Sequence, residues 1–224
     1  MTGAGLAAAF ATVPPAWREA LPGWTQPAFE RVARAVREVS DARPVAPADP
    51  FRALRFAAPA AIRAVVLGQD PYPRPGHADG LAFSAGTGRP HSLRRVFDVL
   101  EADRLGWKRP PVWTLDGWAR AGVLLLNPVL TVEVGRAGSH MRCGWQALTS
   151  ELVAALCRLP AAPAFLLWGQ PANAFFDAAR PRAADVPVWR TRHPAHDLRR
   201  EFMAGGSHFV ATADRIDWWG ALYR

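Results

Sequence analysis

The stretch that decides the fold reads VVLGQDPYPRPGHADGLAFSAG and spans residues 65–86. It opens with a short apolar run, which predicts a buried strand. It then enters a segment so rich in proline and glycine that no regular structure can form there. One carboxylate, Asp70, stands where the strand ends, and Tyr72 and Phe83 follow it in the loop.

The same order of helix, short apolar strand and polar loop recurs three more times along the chain. The predicted strands lie in VLLLNPVLTV, PAFLLWGQ and VPVWRTRHP, and residues 26–40 carry apolar side chains at helical spacing. Strands that alternate with helices predict a three-layer α/β/α fold with a central, mainly parallel, four-stranded sheet. We expect a single domain over residues 1–224, with an irregular N-terminal segment at residues 1–26.

The charge balance is basic, with 27 basic and 19 acidic side chains and a formal net charge of +8. All the basic residues except Lys108 are arginines, which favours a polyanion as partner, although codon bias explains the composition equally well. The spacing of Cys143 and Cys157 matches no zinc or redox pattern, so no metal site is predicted. No apolar run approaches the length of a membrane span, and we expect a cytoplasmic protein without a membrane partner.

Ligands of such folds bind at the carboxyl ends of the strands, which directs attention to the residues there. These are Gln69, Asp70, Asn127, Gly169, Gln170 and His193. Each has an ordinary alternative role, because Asp70 and Asn127 precede prolines and can begin turns, and a single histidine is often structural. Their predicted convergence at one edge of the sheet favours a functional site.

Four segments resemble motifs of the family 1 uracil-DNA glycosylases, and they occur in the same order. GQDPYPRPGHADGLAFS resembles the water-activating motif of that family, and the similar later segments are GVLLLNPVLTVEVGRAGSH, FLLWG and RHPAHDLRREFMAGGSHFVAT. The resemblance covers about residues 50–212. It implies a monofunctional enzyme that flips uracil out of DNA, hydrolyses its N-glycosidic bond and leaves an abasic site, as the first step of base excision repair. It also implies that no metal and no organic cofactor is needed.

The resemblance gives two residues catalytic roles. Bond cleavage leaves a cationic sugar and an anionic uracil, so stabilisation must come in two halves. Asp70 would face the sugar, where its charge steadies the cation and orients the attacking water. His193 would donate a hydrogen bond from a neutral imidazole to the uracil oxygen, assisted by backbone N–H groups near Gln69.

Three further residues are implied in recognition of the base. Phe83 would provide a flat apolar surface for the flipped base, and Asn127 would accept from the ring N–H of uracil and donate to its carbonyl. Tyr72 would fill the space beside C5 of uracil, so that the methyl group of thymine clashes with it. Prolines on both sides of the tyrosine stiffen this wall.

Phosphate contacts are implied at Ser92, near the start of a predicted helix, and at Gly169 and Gln170. For Ser92, the alternative is a role as helix N-cap only, and one residue can also serve both roles. The family has glycine-serine where this chain has Gly169 and Gln170, so one hydroxyl is missing. Two more departures are Pro73, where the family has a histidine that helps to hold the water, and Ala195, which replaces a phosphate-binding serine.

The segment HPAHDLRR departs most from the family, which typically reads HPSPLS there. Asp197 occupies the position of the leucine that enters the vacated base stack, and an acidic wedge beside phosphates is electrostatically unfavourable. Leu198 or His196 could fill the stack instead, while Arg199 and Arg200 could contact phosphates. Alternatively, Leu198 packs inward and the two arginines lie on a solvated helix face.

These observations support two functional hypotheses. The leading one is a uracil-DNA glycosylase that acts as a monomer on uracil-containing DNA. The alternative, motivated by Pro73 and the altered loop, is a protein of the same fold that binds uracil or abasic sites in DNA and turns over slowly. Because the phage inhibitor protein of the family captures the leucine wedge, the loss of that leucine predicts weak or no inhibitor binding.

Overall fold

The computed structural model describes residues 3–41, 43–197 and 201–223. Its helices are α1 (Gly3–Phe10), α2 (Pro15–Ala20), α3 (Gln26–Ser40), α4 (His91–Asp103), α5 (Asp116–Arg120), α6 (Trp145–Cys157), α7 (Gln170–Ala179) and α8 (His208–Ala211). Its strands are β1 (Val45–Ala46), β2 (Ala64–Leu67), β3 (Val123–Leu126), β4 (Val132–Glu133), β5 (Ala164–Trp168) and β6 (Val188–Thr191). Short 3-10 turns cover Arg52–Arg55, Pro59–Ala61, Pro194–His196 and Ala221–Tyr223. Among the described residues, no helix is long and apolar enough to cross a membrane.

A parallel sheet with the strand order β3-β2-β5-β6 forms the centre of the fold. β2 lies between two neighbours in register, with Ala64 opposite Val123 on one side and Ala164 on the other. β2, β3 and β5 are buried along their whole length, which explains why their sequences are uninterrupted apolar runs, whereas the edge strand β6 is partly exposed. Helices flank the sheet, and the predicted three-layer α/β/α fold is confirmed.

A second, antiparallel sheet of two short strands has no counterpart among the sequence-based predictions. β1 pairs with β4, and Val45 is opposite Glu133. Strands of two residues give no readable alternation of apolar and polar side chains, so periodicity could not reveal them. Just after β4, the Gly135 N–H donates to the Pro73 carbonyl at 2.8 Å. This contact ties the loop that follows β4 to the proline-rich loop that follows β2.

The N-terminal segment corrects one expectation, because residues 1–26 are not irregular throughout. The chain forms α1 and α2 before it enters α3. In α1, Leu6 and Phe10 are four residues apart and both buried, and the Phe10 ring stacks on Phe29 of α3 with centroids 4.6 Å apart. Pro15 begins α2, and proline is compatible with the first position of a helix. The prolines of this segment therefore do not exclude helical structure.

An aromatic core lies beneath the carboxyl ends of the strands. Trp168 ends β5 and is fully buried. Its ring centroid is 4.9 Å from that of Phe83, 5.4 Å from that of Phe202 and 5.9 Å from that of Phe209. Aromatic pairs at these separations contribute favourable contacts beyond the area that they bury. The loop that contains Phe83 is thus packed onto the central sheet through Trp168.

Candidate active site

The carboxyl ends of β2 and β3 and the residues just after β6 open into one cavity of about 320 Å³. The predicted site residues that line it are Gln69, Asp70, Tyr72, Phe83, Ser92, Asn127 and His193. Gln170 does not line this cavity, because it begins α7 and faces a separate shallow cleft with Arg190 and Arg192. The structure therefore brings seven predicted site residues from distant parts of the sequence into one cavity. Gln170 lies outside that cavity, in the separate cleft.

Asp70 follows the end of β2, and one backbone donor fixes its carboxylate. The Gly138 N–H donates to Asp70 Oδ2 at 2.9 Å, and Gly138 belongs to the loop that follows β4. Burial raises the pKa of Asp70, and the hydrogen bond from Gly138 offsets part of that effect. The carboxylate is thus held in a partly desolvated position, where its charge is screened less than in bulk water.

Tyr72 is fixed at its hydroxyl by two partners. The Tyr72 O–H donates to the Phe83 carbonyl at 3.1 Å, and the Ser92 hydroxyl lies 2.6 Å from the Tyr72 oxygen. Because the phenol has a single proton, Ser92 is the donor to Tyr72 when Tyr72 donates to Phe83. Burial raises the pKa of Tyr72 far above its usual value, so the side chain stays a neutral phenol. The ring therefore forms a rigid wall of the cavity.

Ser92 lies inside the first turn of α4, one residue beyond its start. The helix begins at His91, and Pro90 occupies the N-cap position without a side-chain cap. Ser92 is 3% exposed, and its hydroxyl is bonded to Tyr72. The alternative role of Ser92 as an N-cap is therefore wrong, and its hydroxyl has a structural partner within the site.

Phe83 has a left-handed backbone conformation with φ = 65°, which is unfavourable for a bulky side chain. Asp79 supports the turn, because its carboxylate accepts hydrogen bonds from the Leu81 N–H at 3.1 Å and from the Ser84 hydroxyl at 2.5 Å. The ring packs on Trp168 and also lines the cavity. The loop thus holds one aromatic ring between the core of the protein and the site.

Asn127 comes directly after β3 and lies beside a glycine whose missing side chain makes room for it. A Cβ atom on Gly68 would lie 2.3 Å from Asn127 Oδ1 and 3.3 Å from Cε2 of Phe83. A side chain at position 68 would therefore displace both the amide and the aromatic ring. No role was predicted for Gly68, although a glycine at the end of an apolar strand signals a close approach of other groups.

His193 is held in one tautomer by its neighbour. Its Nδ1 accepts a hydrogen bond from the Ala195 N–H at 3.1 Å, so a neutral imidazole carries its proton on Nε2. The ring centroid lies 5.7 Å from that of Phe83. Gly169 permits this position, because a Cβ there would lie 3.0 Å from Cβ of His193 and its φ is +111°. Gly169 therefore makes room for the histidine, and this structural role is separate from its predicted contact with DNA.

Asp197 points inward, which corrects the expectation that it stands where a wedge enters the base stack. Its side chain is 0% exposed, its Oδ2 pairs with Arg95 Nε, and its Oδ1 accepts from the Phe202 N–H at 2.7 Å. Burial by itself raises the pKa of Asp197, but these hydrogen bonds outweigh it and hold the pKa below its usual value. His196, one residue earlier, ends the 3-10 turn Pro194–His196. The other residues predicted in this loop, Leu198, Arg199 and Arg200, lie outside the described part of the chain.

The cavity combines groups of opposite character. It is lined by the carboxylate residue Asp70, by His193, whose imidazole accepts at Nδ1, and by the aromatic residue Phe83. Such a site can stabilise positive charge at one position and negative charge at another within the same bound molecule. In residues 3–41, 43–197 and 201–223, no group of three or more histidine, cysteine, aspartate or glutamate side chains is arranged to hold a metal ion.

Comparison with known proteins assigns the chain to a family. A sequence model of the Uracil DNA glycosylase superfamily matches residues 55–216. The chain belongs to this superfamily. The uracil-DNA glycosylase of Bordetella parapertussis is 44% identical over 199 residues, which are 86% of this chain and 77% of the relative. The uracil-DNA glycosylase of Klebsiella pneumoniae is 41% identical over 187 residues, which are 78% of this chain and 80% of the relative.

Solved structures of uracil-DNA glycosylases share the fold. The mimivirus enzyme matches with a TM-score of 0.71 at 22% identity, over 81% of this chain and 69% of that chain. A variant of the mimivirus enzyme, crystallised in complex with UGI, matches with a TM-score of 0.72 at 23% identity, over 82% and 70% of the two chains. The wild-type UNG of Nitratifractor salsuginis matches with a TM-score of 0.60 at 22% identity, over 82% and 85%. At these identities the likeness shows the common architecture alone.

Three residues that support the site of this superfamily member were not singled out from the sequence. Gly68 makes room for Asn127, and Gly138 holds Asp70 through its backbone N–H. Gly138 lies within a quoted motif, which located the residue in the sequence but did not indicate its role. No motif or spacing in the sequence singles out Arg95, because α4 meets the segment that follows β6 only in the folded protein.

Asp70→Asn is expected to raise the melting temperature at pH 7 by about 2 °C. The raised pKa means that the folded chain binds the proton of Asp70 more tightly than the unfolded chain, so ionisation of Asp70 costs stability at neutral pH. The gain should shrink as the pH falls through the folded-state pKa, and it should vanish below the unfolded value of about 3.9. Thermal unfolding of both proteins across this pH range measures it.

Asp185→Asn is the matched control, because Asp185 is exposed and away from the cavity. It should leave the melting temperature within about 0.5 °C of the wild type. An equal or lower melting temperature of Asp70→Asn at pH 7 would contradict the prediction.

Proposed function

We propose that this chain is a uracil-DNA glycosylase that hydrolyses the N-glycosidic bond of uracil in DNA and leaves an abasic site. The observation that carries the proposal is the single cavity in which Asp70, Asn127 and His193 meet around the ring of Phe83. Relatives named uracil-DNA glycosylase at 40% and 44% identity support the same activity. The enzyme is then a monofunctional hydrolase of N-glycosyl bonds that carries out the first step of base excision repair.

Two residues of opposite character serve the two halves of the reaction. Asp70, held by the Gly138 N–H, steadies the oxocarbenium-like sugar and orients the attacking water. His193 donates from Nε2 to the uracil oxygen that becomes negative, while its Nδ1 accepts from the Ala195 N–H. Both groups are positioned before substrate binds, so little reorganisation accompanies the reaction.

The base is recognised by stacking, by its hydrogen-bonding edge and by shape. A flipped uracil stacks on Phe83, and the amide of Asn127 accepts from its ring N–H and donates to its carbonyl. Cytosine presents the opposite donor and acceptor pattern at these atoms, so the same amide disfavours it. Tyr72 stands beside C5 and excludes the methyl group of thymine. Backbone N–H groups near Gln69 assist His193 at the uracil oxygen.

Pro73 stands where the family has a water-holding histidine, but it has a contact of its own. Its carbonyl accepts from the Gly135 N–H at 2.8 Å, three residues before Gly138. This bond ties the proline-rich loop to the segment that donates to Asp70. The chain therefore keeps the carboxylate in place, while the attacking water has one contact fewer than in the family pattern.

The DNA strand is proposed to pass the first turns of α4 and α7. Backbone N–H groups at a helix start have no partner within the helix and are suited to phosphate, which assigns this role to Ser92 and Gln170. The net charge of +8 favours the approach of DNA. Arg199 and Arg200 remain the proposed additional phosphate contacts, and Leu198 or His196 the residue that fills the vacated stack. We expect the protein to act as a cytoplasmic monomer.

An oligonucleotide with a single uracil tests the activity. Wild-type protein should convert it to abasic product, and Asp70→Asn should lose on the order of a hundredfold in chemical rate while its affinity for DNA is unchanged. No abasic product at stoichiometric enzyme would overturn the proposed function. Equal single- and multiple-turnover rates show that product release is not limiting and support the glycosylase. A burst of one turnover followed by little further product supports the lesion-binding alternative.

Tyr72→Ala is expected to admit thymine, because it removes the wall beside C5 of the base. Excision of thymine from an oligonucleotide should become measurable, while Tyr72→Phe, which keeps the ring, should still exclude it. The only other tyrosine, Tyr223, is 56% exposed and does not line the cavity, so Tyr223→Ala is the matched control. Thymine exclusion that is unchanged in Tyr72→Ala would refute the steric wall.

The phage inhibitor protein of the family is expected to bind this chain weakly or not at all. The leucine that the inhibitor captures is replaced by Asp197, whose side chain is buried against Arg95. Uracil excision measured against increasing inhibitor concentration should therefore continue at equimolar inhibitor. Full inhibition at an equimolar ratio would show that the inhibitor does not depend on this position.

A further inference from the structure

A buried ion pair outside the cavity connects α4 to the segment that carries His193. Arg95 Nε donates to Asp197 Oδ2, and the two side chains are 18% and 0% exposed. The other carboxylate oxygen accepts from the Phe202 N–H at 2.7 Å. Both oxygens of Asp197 therefore have protein partners, and the pair is enclosed by protein on the side of the carboxylate.

The chain that follows Asp197 is tied back to the end of β6. The Met203 N–H donates to Thr191 Oγ1 at 2.7 Å, and Arg192 pairs with Glu201 at 2.9 Å. These contacts hold the far end of the segment beside the strand from which it starts. The pair of Asp197 with Arg95 joins the middle of the segment to α4.

Arg95 shares a helix face with a residue of the site itself. Ser92 and Arg95 are three residues apart in α4, so their side chains lie on the same face. Ser92 holds the hydroxyl of Tyr72, and Arg95 holds Asp197, four residues after His193. One face of α4 thus supports two different walls of the cavity.

We propose that Arg95 and Asp197 are positioning residues for His193. Their ion pair fixes the turn Pro194–His196, which brings the Ala195 N–H to His193 Nδ1 and so keeps the imidazole, which lines the cavity, in one orientation. A buried ion pair is a poor source of net stability, but it can select one arrangement of the segments that it joins. The inference rests on the proposed function, in which His193 donates to the uracil oxygen.

Two other roles would leave different signatures. If Arg95 binds a DNA phosphate, its loss weakens DNA binding and lowers the salt dependence, whereas loss of the Asp197 charge does neither. If Asp197 enters the base stack, its replacement changes excision from duplex DNA and spares single strands. A positioning role instead predicts the same defect from either partner on single-stranded DNA, where no stack has to be filled.

The test is a double-mutant cycle on a single-stranded oligonucleotide with one uracil. Arg95→Gln and Asp197→Asn should each lower the single-turnover rate at saturating protein on the order of tenfold, while the concentration for half-maximal rate stays within about twofold. The double variant should be no slower than either single variant, because the two residues act as one unit. Arg34→Gln is the matched control, since Arg34 is exposed on α3, does not line the cavity and loses the same charge.

A second cycle separates positioning from a general loss of structure. In the background of His193→Gln, adding Asp197→Asn should cause no further loss of rate, because its effect passes through the histidine. Thermal unfolding identifies any variant that does not fold. In that case Arg95→Lys, which keeps the positive charge, replaces Arg95→Gln and should retain more of the excision rate than Asp197→Asn.

The outcomes are distinct. Wild-type rates in both single variants, a double variant that is slower than either by the product of their losses, or a further loss in the His193→Gln background would each overturn the positioning role. A defect confined to Arg95→Gln with a lower salt dependence, or one confined to duplex DNA in Asp197→Asn, would also overturn it. Absence of excision by the wild type overturns the proposed function, and the positioning role with it.

Discussion

The site depends on the parallel register of β2 between β3 and β5. Each strand of the sheet is four or five residues long, so a shift of one residue would move a site residue by about 3.3 Å and turn its side chain to the other face. The register places Gly68, the first residue after β2, level with Asn127, the first residue after β3, so that Asp70, two residues further on, reaches the same edge of the sheet. Uninterrupted burial of these strands enforces it, because slippage would expose apolar side chains.

The loops that follow the strands are held rigidly by internal contacts, and this rigidity fixes the shape of the cavity. The left-handed backbone at Phe83 is unfavourable by itself and persists because Asp79 and the packing on Trp168 hold it. Tyr72 is then bonded to the carbonyl of that same strained residue and to Ser92. Phe83, proposed to stack on the base, and Tyr72, proposed to stand beside its C5 atom, therefore belong to one hydrogen-bonded unit, and their separation cannot vary freely.

The departure at Asp197 has a structural explanation that the charge of the residue alone does not suggest. An acidic side chain directed at DNA would meet phosphate repulsion, whereas here it turns inward and meets Arg95. The resemblance to the family predicts an apolar side chain that contacts DNA at this position, whereas the Asp197 side chain makes internal contacts of the protein.

The sequence by itself determined the four-stranded parallel sheet, the alternation of its strands with helices, and the seven predicted site residues that line the cavity. It could do so because apolar periodicity, long motifs and strand ends are local features of the chain. The sequence did not reveal the N-terminal helices, because prolines in that segment suggested irregular structure although Pro15 is compatible with the first position of α2. It also did not reveal the two-residue strands, which are too short to show a periodicity. Only the tertiary structure decided that Gly138 holds Asp70, that Ser92 bonds Tyr72 and that Asp197 faces Arg95, because these contacts join residues that are far apart in the sequence.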